Sequence, residues 1–280
     1  MSMASSYGAG AVRISGSPAV MRIVFSGNCI YTGSDNTHLL VDAGISAKRV
    51  EAGLKELELE GSDIQGLLIT HEHSDHIKGV GVLARRYGVP IYATEGTIRQ
   101  MKSMSSLGTI DEGLYHVVHA DEDFFIGDMK VEPFAISHDA AEPVAYRFEC
   151  GEKSTAVATD MGVYNDYIVE HLKGLDTVLL EANHDIQMLQ VGPYPYPLKQ
   201  RILGERGHLS NESAGQLLCR ILHDNIKKIY LGHLSKENNY AELAYETVRL
   251  EIELDPVDYK SGDFDIQVAD REQCSGVCNF

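Results

Sequence analysis

The sequence predicts an α/β protein built as a four-layer α/β/β/α sandwich. Two observations point there. Short apolar runs with strand character alternate along the chain with segments of helical spacing. The succession is repeated, so the chain divides into two β-rich halves, each with helices to cover one face, which argues against a single doubly wound sheet.

The elements follow in order. Residues 21–25 and 38–42 read as strands around a turn region of Gly, Asn, Ser and Asp. Residues 46–58 carry helical spacing, with Val50, Leu54 and Leu57 on one face. The run 64–70 (IQGLLIT) is a short apolar strand, and 77–87 resumes as a helix. Gly88 suits that helix's C-terminus, and 89–93 is the next strand. In the second half, strands are expected at 130–136, 144–149 and 154–159, then a helix at 163–172 and a strand at 176–181. Residues 187–210 read as irregular, because Pro193, Pro195 and Pro197 alternate with Tyr194 and Tyr196. A helix at 211–223, a strand at 227–231 and a helix at 239–250 complete the core. Residues 1–20 read as a tag or irregular leader, and 21–280 as a single domain.

Bulk properties narrow the function class. Hydrophobic residues make up 44% and charged residues 23%, an ordinary globular composition. No stretch approaches the roughly 20 apolar residues of a membrane span, and the first residues do not read as a signal peptide. The odd, scattered set Cys29, Cys150, Cys219, Cys274 and Cys278 fits a reducing compartment, which makes the cytoplasm the expected location. The close pair Cys274 and Cys278 reads as two thiols on a tail. A net charge of −17 argues against a nucleic-acid partner at first sight. That veto is weak, since a pair of divalent cations returns about four positive charges to the active-site face.

The segment His71-Glu72-His73-Ser74-Asp75-His76 follows an apolar strand and precedes a helix. Its imidazoles and carboxylate are ligand types that hold zinc, manganese or iron. His71 and His73 alternate in an extended turn, so they point the same way. Asp75 and His76 fall at the helix start, aimed back at the same space. A catalytic ion takes three protein ligands and leaves a position for water, so four ligands in six residues imply two metals.

H-x-H-x-D-H resembles the signature of the metallo-β-lactamase superfamily, and the likeness runs along nearly the whole chain. The resemblance implies the metallo-β-lactamase fold and the remaining ligands. Asp42, ending HLLVD, matches the Asp that supports the site from behind the ligands. His138 in AISHDA matches a ligand of the first metal beside His71 and His73. Asp160 in VATDMG matches the carboxylate that bridges both ions, and His233 in IYLGHLS completes the second with Asp75 and His76. A carboxylate rather than a cysteine at 160 favours the glyoxalase, nuclease and phosphodiesterase branches over the true lactamases. Asp75, by the same resemblance, orients or takes a proton from the attacking water.

The substrate is read from a doublet. Gly207-His208-Leu209-Ser210 precedes Gly232-His233-Leu234-Ser235 and resembles the tRNA-processing endonuclease branch, where the earlier histidine protonates the leaving oxygen. Glu181 in LLEANHD resembles the acid that orients it; otherwise His208 merely flanks the helix beginning at Asn211. A closer resemblance is to the bacterial YycJ/WalJ family. It rests on SGNCIYTGSDNTHLLVDAGIS, LLITHEHSDHIKGVGVLARRYGVPIYA, ISHDAAEPVAYRF, EANHD and GPYPYPLKQRILGERGHLSN. That family implies a DNA exonuclease working from the 5′ end and linked to mismatch repair, with two divalent ions (Zn²⁺ or Mn²⁺, with Fe also admitted by the ligands). Tyr194 and Tyr196 then stack bases while Lys199, Arg201 and Arg206 meet phosphates; equally, the segment is a proline-stiffened loop packing its tyrosines on the core. Only residues 161–232 separate Asp160 from His233, too few for the large clamp domain inserted there in some relatives, so a compact nuclease is expected. The alternative is a thioester or lactone hydrolase of the glyoxalase II-like branch. Oligomeric state is left open.

Overall fold

The computed structural model describes residues 22–25, 28–256, 258–269 and 278–280; the leader expected at 1–20, and Cys274, lie outside them. The first half supplies strands β1 (Arg22–Phe25), β2 (Ile30–Gly33), β3 (His38–Val41), β4 (Gly66–Leu68), β5 (Ile91–Ala93) and β6 (Tyr115–Val117). Its helices are α1 (Ala47–Glu56), α2 (Ser74–Ile77), α3 (Val80–Tyr87) and α4 (Glu95–Ser103). The second half supplies β7 (Phe124–Ile126), β8 (Met129–Ala135), β9 (Val144–Cys150), β10 (Lys153–Ala158), β11 (Thr177–Glu181), β12 (Lys228–Gly232) and β13 (Ile266–Val268). With them come α5 (Asp166–Leu172), α6 (Ile186–Val191), α7 (Tyr196–Leu203), α8 (Asn211–Ile221) and α9 (Ala241–Leu254), and β14 (Cys278–Asn279) returns to the first sheet.

Two sheets result, ordered β14-β1-β2-β3-β4-β5-β6 and β13-β12-β11-β10-β9-β8-β7. Their inner faces share one apolar layer, in which Leu39, Val41 and Leu68 meet Val131, Tyr146, Phe148 and Val157. Val50, Leu54, Leu83 and Ile98 of α1, α3 and α4 cover the first sheet's outer face. Ile168, Leu217 and Val248 of α5, α8 and α9 cover the second. This is the α/β/β/α sandwich that the two-halves pattern predicts. Parallel strands buried on both faces, such as β4 and β11, accordingly read as continuous apolar runs.

Three local expectations are corrected. The turn region between the first two predicted strands contains β2, paired antiparallel with β1 and β3. The helix expected at 77–87 is broken into α2 and α3. Gly79 N–H donates to Ala43 O at 2.7 Å, and a Cβ there would lie 2.6 Å from Ile45 O, so the chain packs too closely to continue one helix. The segment 187–210 is not irregular, because it holds α6 and α7. Asp185 caps α6 by accepting from Met188 N–H. Pro195 is the N-cap of α7 and Pro197 lies in its first turn, where a missing N–H costs nothing, so these prolines start a helix rather than prevent one. α4, β6, β7, β13 and β14 are further elements absent from the sequence reading.

The site-bearing strand ends gather on one rim of the sandwich. Tyr146, fully buried on β9, donates its hydroxyl to Ile69 O at 2.9 Å and so ties the second sheet to the segment that leads into His71.

Candidate metal centre

Asp42, Asp160 and His233 each follow a strand end, and all three have left-handed backbones, with φ of 57°, 61° and 56°. That conformation costs a non-glycine residue about 1–2 kcal/mol, and such strain gathers where the surrounding structure holds a side chain in place. Here it turns the three side chains off the strand ends and into the rim.

Around buried Asp160 the histidines converge. Asp160 Oδ2 lies 3.4 Å from His76 Nε2, while Oδ1 lies 3.7 Å from His138 Nε2 and 3.5 Å from His233 Nε2. His73 Nδ1 is 3.2 Å from His138 Nε2. Ligand-capable atoms of His71, His73 and His138 lie within 4.8 Å of one another, as do those of Asp75, His76 and His233. The structure thus brings together all seven residues expected to hold metal, in the two groups expected, with Asp160 between them. Asp75 is exposed to the cleft and the others are buried or partly buried.

The inward nitrogens are set from behind. His76 Nδ1–H donates to Asp42 Oδ2 at 2.8 Å, and His138 Nδ1–H to Gly207 O at 3.0 Å. His233 Nδ1–H donates to Glu181 Oε1 at 2.8 Å. Thr70 Oγ1–H donates to Asp42 at 2.7 Å, which leaves its oxygen to accept from His71 Nδ1–H at 3.0 Å. With Nδ1 engaged from behind in each of these rings, Nε2 is the atom turned to the centre, the arrangement that metal-binding histidines adopt.

The donors fit a divalent metal. His71 Nε2 and Asp160 Oδ2 are buried without a hydrogen-bond partner among the described residues, a costly state for polar atoms. Burial works against a charged His76, yet the Asp160 and Asp42 carboxylates push its pKa up to about 10. Asp160 itself is held well below the usual carboxylate range: burial opposes this, and His233, His76 and His71 outweigh it. The cluster demands positive charge at its centre, and nitrogen and carboxylate donors at these spacings suit a divalent ion.

Beside the cluster stands His208, whose Nδ1–H donates to Glu181 Oε1 at 2.8 Å and lies 3.6 Å from Asp160 Oδ1. Burial would lower its pKa, but Glu181 and Asp160 push it up to about 9. Glu181 is fully buried, and its Oε2 accepts from the backbone N–H groups of Met161 (2.9 Å) and Leu209 (3.1 Å). Burial alone would raise the Glu181 pKa; His208 and His233 bring it down to about 2.

A cleft of about 520 Å³ opens over the cluster. Tyr194 and Arg201 line it. The other residues expected to bind substrate lie elsewhere or are engaged by the protein. Tyr196 is 73% exposed and packs neither on the core nor in the cleft. Lys199 Nζ donates to Gln190 O at 2.7 Å. Arg206 donates to His138 O (2.9 Å) and Ala140 O (3.3 Å), so it braces the His138 loop. Arg201 pairs with Asp139, whose Oδ1 lies 3.5 Å from His138 Nε2 and 3.7 Å from His73 Nε2. Asp139, Asn28, Asn183 and Lys236 were missed. Asn28 Nδ2 lies 3.2 Å from Asp75 Oδ2 and 3.0 Å from His76 Nε2, while the others line the cleft. Only the residue after His138 carried a legible signal, a carboxylate next to a ligand.

Comparison with known proteins identifies the family. The model of the beta-lactamase superfamily domain matches residues 37–233. The exodeoxyribonuclease WalJ of Streptococcus pneumoniae (strain D39) is 46% identical over 223 residues, covering 80% of this chain and 83% of that protein. The exodeoxyribonuclease YycJ of Bacillus anthracis is 44% identical, covering 80% and 84%. A hydroxyacylglutathione hydrolase of Nitrobacter winogradskyi matches over 51 residues only, 18% of this chain. Among solved structures, the metallo-beta-lactamase fold protein YhfI of Bacillus subtilis superposes with a TM-score of 0.66 at 16% identity, covering 94% of this chain and all of that one. Shared motifs, fold and identity over most of its length place this chain in the metallo-β-lactamase superfamily and, within it, in the YycJ/WalJ family.

Proposed function

We propose that this chain is a metal-dependent exodeoxyribonuclease that hydrolyses DNA phosphodiesters from the 5′ end, in the cytoplasm, with residues 21–280 acting as one hydrolase domain. Two divalent ions, Zn²⁺ or Mn²⁺, are assigned to the groups His71/His73/His138 and Asp75/His76/His233 with Asp160 shared. When bound, they supply hydroxide at neutral pH and draw charge from the phosphate oxygens.

The single observation that carries the reading is His208. Glu181 holds its Nδ1, so Nε2 is the atom free to give a proton to a leaving alkoxide in the cleft. Asp75, exposed to the cleft, is placed to orient the attacking water and take its proton. Asp42 and Glu181 fix the rings that surround the reacting centre. A thioester, the first of the alternative substrates, releases a thiolate that leaves without an acid, so the proton held at His208 would then have no task. The similar WalJ and YycJ proteins are exodeoxyribonucleases by name, which supports the same choice.

The test is degradation of 5′-labelled and 3′-labelled duplex DNA by manganese-loaded protein, with a lactoylated thiol as rival substrate. Degradation from the 5′ end, with His208→Ala slower by about 10²–10⁴-fold at unchanged metal content, is expected. Comparable or faster turnover of the thioester, indifferent to His208, would overturn the reading.

A further inference from the structure

We propose that Lys236 is the cation that anchors a substrate phosphate in the cleft, an inference that rests on the phosphodiesterase reading above. The cations singled out in the sequence between 194 and 206 are already engaged. Arg201 is neutralised by Asp139, Arg206 is spent on the carbonyls of His138 and Ala140, and Lys199 on that of Gln190. The cleft is otherwise acidic, lined by Asp75, Asp139, Asp160 and Glu237. The two proposed ions would meet the phosphate under attack, and a neighbouring phosphate of the polyanion gains from a further cation that is not already paired. Lys236 lines the same cleft, is exposed, and makes no hydrogen bond or ion pair among the described residues.

Its root is rigid although its tip is free. Ser235 N–H donates to Asn183 O at 2.6 Å, and Asn183 Nδ2 donates to His233 O at 2.9 Å. Asn238 N–H donates to Ser235 Oγ at 3.2 Å. These bonds pin the turn that follows His233 to the end of β11. Lys236 therefore projects from a fixed point three residues beyond a residue of the central cluster. A lysine suits this place: its ammonium is a point charge on a flexible stem and can follow a phosphate that moves as the chain is shortened.

The experiment measures the affinity of a fluorescein-labelled single-stranded oligonucleotide by anisotropy across a salt series, beside steady-state cleavage. Lys236→Ala should lower the slope of log affinity against log salt by about 0.7, the value for one phosphate contact on a single strand. It should also raise KM by about tenfold, the scale of one lost charge-assisted hydrogen bond, with a smaller fall in kcat. Lys236→Arg should restore the slope, and Lys199→Ala should leave it as in the wild type. If wild type binds and cleaves DNA while Lys236→Ala keeps both slope and KM, the inference is wrong and the nuclease reading stands. If wild type neither binds nor cleaves DNA, the nuclease reading fails and takes the inference with it.

Discussion

Glu181 Oε1 lies 2.8 Å from His208 Nδ1, and the same oxygen lies 2.8 Å from His233 Nδ1. One buried carboxylate thus orients both the proposed acid and a proposed metal ligand, and its other oxygen is held by two backbone N–H groups. Glu181 is a positioning residue for two functions at once. Glu181→Gln places an amide NH₂ where one set of donors must be accepted, so one pairing is lost. We expect a loss of about 10–100-fold in activity or metal affinity, the usual range for a residue behind a ligand. Metal content by elemental analysis should fall together with kcat. A variant that keeps full metal and full kcat would show that the shared oxygen does not matter.

Arg206 makes a separate prediction, because its guanidinium bonds to His138 O and Ala140 O while Gly207 O accepts from the His138 ring. Arg206→Ala should loosen the His138 loop, lowering kcat and metal affinity. The salt slope of DNA binding should stay as in the wild type, whereas a phosphate-binding arginine would take about 0.7–0.9 from it.

Metal removal should reach stability as well as activity. His71 Nε2 and Asp160 Oδ2 are buried without hydrogen-bond partners among the described residues, and a ligand that binds only the folded state stabilises it by mass action. Chelation should abolish hydrolysis and lower Tm, and added Mn²⁺ or Zn²⁺ should raise Tm in a concentration-dependent way. In Asp160→Asn that rise should shrink. Equal shifts in variant and wild type would remove Asp160 from the centre.

Far from the site, Asp128 closes the β7–β8 hairpin against the β2–β3 turn. It accepts from Ser34 Oγ at 2.7 Å, Thr37 Oγ1 at 2.6 Å and Asn36 Nδ2 at 3.0 Å. Burial, the largest single influence, raises its pKa, but these three bonds together prevail and hold it below the usual value. A depressed carboxylate stabilises the fold above its unfolded pKa of about 3.9, and that contribution is lost as pH falls through the native pKa. Asp128→Asn should therefore show a shallower loss of Tm than wild type on acidification below about pH 4. Parallel curves would mean that the charge contributes nothing.

Much of this protein was legible in its sequence. Donor chemistry and strand-end placement are local properties, so His71, His73, Asp75 and His76 announce a metal centre within six residues, and the two β-rich halves announce two sheets. The short strands β6, β13 and β14 carry too few residues for a period, and prolines that open α7 look the same in sequence as prolines that forbid a helix. The cations of 194–206 were legible as charges but not as free charges. Whether Arg201 meets a phosphate or Asp139, and whether Arg206 meets a phosphate or two carbonyls, depends on groups more than sixty residues away in the chain. The sequence by itself determined which atoms can bind a metal and where along the chain they lie. Which cations already hold a partner was settled by folding, because partnership is a matter of distance in space: the fold brings Asp139 to Arg201 and leaves Lys236 without a partner among the described residues.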